Sequence, residues 1–141
     1  MDKIHLIYGT KGCGKTKKLV ELANASVATA KGDLVYIDKD MSRMHDLDHK
    51  IKLVDTSEYD VRCENTFIAF VSGILAGNYD IEKIFFDGIV KIVKNDIENL
   101  EKMFDALAVL SAKFSVDFIF TFSIKDELPE YLKKYDTLFK F

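Results

Sequence analysis

The 141-residue sequence has no tryptophan, one proline, two cysteines and two arginines. A single proline in a chain that is 48% hydrophobic excludes a linker-rich or disordered polypeptide. Two thiols, Cys13 and Cys63, cannot make a disulfide framework and fit a reducing compartment. No apolar run reaches the ~18 residues of a membrane-spanning helix. The start, Met1-Asp2-Lys3-Ile4-His5, runs straight into a strand pattern without a signal-peptide core. A cytoplasmic protein with no membrane partner is the expectation. Basic excess is also missing: 20 Lys+Arg stand against 23 Asp+Glu, a net charge of −3. Nucleic acid is therefore not expected as the main partner, because a polyanion needs clustered cations. The length fits one domain over 1–141.

What the chain does have is alternation. Ile4-His5-Leu6-Ile7-Tyr8 reads as a buried strand, followed by a glycine-rich turn and a helix over 15–30 with Leu19, Leu22, Ala23 and Val27 at helical spacing. Leu34–Ile37 is a second strand that closes in Asp38-Lys39-Asp40, and 51–55 alternates as a short extra strand. A helix is expected over 61–76 and a strand over 83–88 ending in Asp87. The segment Ile89–Val93 reads as the start of a core-facing helix. The strongest helix is expected over 96–114, then a strand over 116–122. A short helix over 127–135 and an edge strand over 138–141 complete the pattern. Strands apolar on both faces, alternating with helices, predict an α/β fold: three layers around a mainly parallel, five-stranded sheet.

The chemistry concentrates in Gly9-Thr10-Lys11-Gly12-Cys13-Gly14-Lys15-Thr16, which fits G-x-x-x-x-G-K-[ST] at every fixed position. Glycines let the backbone curl so that several N–H groups converge on an anion, and the following helix adds its positive end. The segment lies between a predicted strand and a predicted helix, where this chemistry requires it. Residues 9–17, with Lys17 in the first helical turn, are the candidate phosphate-binding set, and Cys13 is read as a tolerated small residue.

Through this loop and the apolar strand Ile84-Phe85-Phe86-Asp87, the chain resembles the P-loop NTPases. The strand inserted between the two elements and the extra Gly12 are similar to the AAA-type and RecA-like ATP-hydrolysing branch. The resemblance implies a sheet in the order 5-1-4-3-2, with ATP and Mg²⁺ as cofactors. It implies that Lys15 reaches the β- and γ-phosphates and that Thr16 and Asp87 hold the metal. Thr121 or Ser123, ending the strand 116–122, would sense the γ-phosphate. RecA-like members carry the base at the end of the strand after the first helix, where this chain has Asp38 and Asp40.

Two departures shape the functional expectation. Gly88 stands where the ATP-hydrolysing branch often has a glutamate, and no helical lid is expected after the sheet. An arginine finger could come only from Arg43 or Arg62, in cis or across a homodimer, or else from a protein partner. The reading is a Mg-ATP-binding protein with slow or partner-stimulated hydrolysis, acting as a nucleotide-dependent switch. The alternatives are a small-molecule, nucleoside-like kinase, disfavoured by so few arginines, and a hydrolysis-deficient nucleotide-binding interaction module.

Overall fold

The computed structural model describes residues 3–141. Six strands form one sheet: β1 (Ile4–Gly9), β2 (Asp33–Asp38), β3 (Ile51–Asp55), β4 (Ile81–Phe86), β5 (Asp117–Ser123) and β6 (Asp136–Lys140). Their spatial order is β3-β2-β4-β5-β1-β6, and every pairing is parallel. Four α-helices cover it: α1 (Lys15–Val27), α2 (Glu64–Gly77), α3 (Ile89–Val93) and α4 (Glu101–Phe114). The result is a three-layer α/β/α sandwich.

This corrects the expected fold. The sheet has six strands and the order 3-2-4-5-1-6, where five strands in the order 5-1-4-3-2 were expected. The reason is that both doubtful segments pair. Strand 51–55 adds to β2 through Leu34↔Ile51 to Asp38↔Asp55, and 136–140 adds to the far side of β1. The departure in strand number and order overturns the assignment to the P-loop NTPase superfamily and its AAA/RecA-like branch. The family labels that travel with that assignment, a Walker A motif and membership among the P-loop ATPases, fall with it, and what the chain binds or hydrolyses becomes a separate question of its own residues.

Element boundaries shift for local reasons. The helix expected over 96–114 splits into a 3₁₀ turn (Ile97–Asn99) and α4, because Leu100 adopts φ −104°, ψ 16° between them. The helix expected over 127–135 shrinks to the 3₁₀ turn Glu130–Leu132, with Pro129 extended ahead of it. Ile89–Val93 is core-facing as expected, with Ile89, Ile92 and Val93 buried.

The two faces of the sheet differ. On one side α1 lies alone over Ile7, Leu34, Tyr36, Ile51, Phe85 and Ile119, burying only Leu19 and Ala23 of its own residues. On the other, α2, α3 and α4 share a larger core built on aromatic rings. Phe86 stacks on Phe120 with centroids 4.4 Å apart, Phe67 meets Phe86 edge-on at 5.5 Å, and Phe104 lies 4.9 Å from Phe120. Such pairs add about 0.5–1.5 kcal/mol each beyond their buried area. They also lock the C-terminal ends of β4 and β5, from which Asp87 and Thr121 project.

Candidate functional site

The loop after β1 is shaped by two glycines in the left-handed region, Gly12 at φ +80° and Gly14 at φ +99°. A side chain there would be strained, so only glycine gives this curl cheaply. The curl leaves a row of donors unused. Among the described residues, no acceptor takes the backbone N–H of residues 11–17. The first N–H to find one is that of Lys18, which donates to the Gly14 carbonyl at 3.1 Å. Gly14 caps α1 without a side-chain hydrogen bond, so the helix start keeps its positive end uncompensated. Lys15 folds back across the loop, its Nζ donating to the Thr10 carbonyl at 2.8 Å and lying 3.7 Å from Cys13 Sγ.

Asp87 is the hub of the site. The residue is 7% exposed, and both carboxylate oxygens are engaged. Oδ1 accepts from Thr16 Oγ1 at 3.1 Å and from Thr121 Oγ1 at 3.0 Å, while Oδ2 accepts from the Tyr36 hydroxyl at 2.9 Å. Thr121, 1% exposed, also accepts from the Gly88 N–H at 2.9 Å. β1, β2, β4 and β5 therefore each deliver a group to one point, either directly or through the turn that follows. Burial first, then the adjacent Asp87 charge, holds the Tyr36 hydroxyl well above the ordinary phenol range, so it remains a donor.

Two adjoining cavities open on this hub. The first, about 430 Å³, is lined by Lys11, Gly12, Gly14, Lys15 and Thr16 on the loop side and by Val90, Thr121, Phe122 and Ser123 opposite. The second, about 280 Å³, is lined by Asp38, Lys39, Asp40, Ser42 and Arg43. Both share Thr16, Asp87, Gly88 and Lys91.

The two candidate bases differ sharply. Asp38 is 7% exposed, and one of its oxygens accepts from the Lys39 N–H at 2.7 Å. Burial, then the neighbouring Asp87, pushes its carboxyl from 3.8 up to about 6. Asp40 instead turns its carboxylate onto Ser42, accepting from that residue's N–H at 2.9 Å and from its hydroxyl. Those hydrogen bonds hold it low, at about 2. Asp38 is thus a weakly hydrated carboxylate facing a cavity, whereas Asp40 is the anchor of a turn.

Of the residues expected at the site, Lys11, Gly12, Gly14, Lys15, Thr16, Asp87, Thr121 and Ser123 meet around the first cavity, and Asp38, Asp40 and Arg43 meet around the second. Gly9 ends β1 beneath the loop, Thr10 contributes its carbonyl, and Cys13 touches the folded Lys15. Lys17 is exposed and lines neither cavity. Arg62 pairs with Asp60 at 2.6 Å and lines a separate depression. Sequence reasoning missed Tyr36 and Lys91. A hydroxyl within the buried run Leu34-Val35-Tyr36-Ile37 was a usable signal for the first, since a buried tyrosine needs a partner. Lys91 carried no signal, because its place depends on how α3 turns away from Gly88. Among the described residues, no group of three or more His, Cys, Asp or Glu could hold a metal ion by itself. No protein-family model matches the chain, and a search of curated proteins finds no match.

Proposed function

We propose that the chain binds a nucleoside triphosphate with Mg²⁺, ATP being the first candidate, at residues 9–16 and hydrolyses it slowly. The observation that carries this reading is the row of unused N–H donors over residues 11–17, on a loop that borders a cavity of about 430 Å³. A run of unused backbone donors and a bare helix start suit the doubly charged end of a polyphosphate better than any neutral ligand. Lys15, now spending its ammonium on the Thr10 carbonyl, can exchange that weak acceptor for a phosphate oxygen.

The groups near Asp87 fit a magnesium ion. The set is one carboxylate and a threonine hydroxyl, hard oxygen donors that leave room for water and phosphate oxygens, as this ion prefers. Thr16 and Asp87 would hold it, and the ion would supply charge neutralisation at the phosphates. Tyr36 and Thr121 keep Asp87 oriented by donating to it from below. Asp38 would take the proton of an attacking water, a role supported by its place on the adjoining cavity and by a raised affinity for a proton that brings it nearer to working pH.

Phosphoryl transfer to a small acceptor is a second reading, favoured by the second cavity. That space adjoins the first at Asp87 and brings Asp38 together with Lys39, Arg43 and Lys91, a setting for a hydroxyl on an anionic molecule. One experiment separates these outcomes: excess protein is incubated with labelled Mg-ATP, and bound nucleotide and free phosphate are scored together. ATP that is bound and converted to ADP and phosphate supports hydrolysis. ATP that stays intact until a small acceptor is supplied supports transfer, and absence of binding overturns the proposal.

A further inference from the structure

The reading of residues 9–16 as a polyphosphate loop leaves open where the rest of the nucleotide lies. The direction follows from the sheet order. β1, which carries the loop, lies between β5 and β6. Asp87 and Thr121 sit on the β4/β5 side, so the terminal phosphate and its metal belong there. The ester end of the polyphosphate then points the other way, across the loop toward β6.

Two aromatic rings wait on that side. Phe141, just beyond β6, donates its N–H to the Tyr8 carbonyl at 2.9 Å and packs onto the loop. A Cβ placed on Gly9 would fall 2.7 Å from Phe141 Cβ, and one on Gly14 would fall 3.9 Å from Phe141 Cε1. Phe139 pairs in register with Ile7, and its ring lies 4.8 Å from that of Phe141 and is tilted 46° to it, so a flat ring stacked on one meets the other at its edge. Lys18, one turn into α1, places its ammonium 4.4 Å over the Phe139 ring, so both rings lie on the α1 side of the sheet. They are 39% and 43% exposed, Phe139 on a strand whose residues are all exposed and Phe141 directly after it. Aromatic surface left about two-fifths exposed beside a phosphate loop suits a flat ring whose phosphates are already held by that loop.

We infer that Phe139 and Phe141 form a stacking shelf for the nucleobase, with Lys18 beside it to meet the charge of the ester-linked phosphate. The inference rests on the loop reading above. Stacking uses the π-face that every base has, so the shelf favours a large ring without reading its edge. Purine triphosphates should bind within a few-fold of one another, and all should exceed the bare triphosphate.

The test compares Mg-ATP with inorganic Mg-triphosphate by titration calorimetry, using the full chain. Wild type should bind ATP about tenfold more tightly than triphosphate, the range expected for one stacked base. Phe139→Ala with Phe141→Ala should erase that tenfold gap and leave triphosphate affinity unchanged, while Phe139→Tyr with Phe141→Tyr should restore it. Equal affinities in wild type overturn the shelf. So does a parallel loss of both ligands in the alanine variant, which would mean that the rings only brace Gly9. If wild type binds neither ligand, the loop reading itself fails and the shelf goes with it.

Discussion

Asp38→Asn should make the protein more stable and less active at once. The carboxyl moves from 3.8 to about 6 on folding, chiefly because it is buried and then because Asp87 lies nearby. Each tenfold change in proton affinity is worth about 1.4 kcal/mol, so carrying the charge at pH 7 costs the native state about 3 kcal/mol. Water in the adjoining cavity screens part of this, leaving about 2 kcal/mol. The sign follows from the direction of the shift. The folded-state value lies above the unfolded one, so protonated Asp38 favours folding below about pH 4, and that contribution is lost as pH rises to 6. An asparagine keeps an acceptor for the Lys39 N–H and removes the charge. Urea unfolding followed by circular dichroism should therefore show a gain of about 2 kcal/mol at pH 7 and almost none at pH 4. Phosphate release by the same variant should fall by about 10²–10⁴. In wild type that activity should show an acidic limb near pH 6. Unchanged stability at pH 7, or an equal gain at both pH values, would refute the argument that Asp38 is held as a costly buried charge.

Other expectations are simpler. Lys15→Ala should abolish nucleotide binding in equilibrium dialysis while changing unfolding free energy by less than ~0.5 kcal/mol, since the lysine makes only loop contacts. Thr121→Val conserves shape but removes a donor to Asp87 and the acceptor for the Gly88 N–H. It should cost about 1–3 kcal/mol in urea unfolding. Phe104→Ala empties a fully buried position against Phe120 and should cost about 3–5 kcal/mol in the same assay.

The loop was legible because its cause is local. Three glycines and a Lys-Thr pair between an apolar strand and an amphipathic helix determine a conformation within a few residues, and Gly12 and Gly14 adopt the backbone that this spacing requires. Asp87 and Thr121 were legible for a similar reason, as polar residues where apolar strands end. Sheet order was not legible, because strand neighbours are chosen by packing between distant segments. The alternation in 51–55 announced a strand but not which edge it joins. Leu138-Phe139-Lys140-Phe141 announced an edge strand but not that it pairs with β1 through Asp136. The break at Leu100 was hidden within a strong helical pattern, since Ile97, Leu100 and Phe104 are buried whether or not the helix is continuous.

The lone position of α1 has a consequence for how the molecule opens. With only Leu19 and Ala23 fully buried, α1 is secured by far less core than the three helices opposite, so it is the layer expected to detach first in partial unfolding. The same helix begins at the loop, and any anion gripped by residues 11–17 ties its first turn to β1. Ligand would then act as a clasp on the weakest layer. Amide exchange along 15–27 should slow on saturation by up to the factor 1 + [L]/Kd, and amides of β4 and β5 that exchange only through global opening should slow by no more than that same factor.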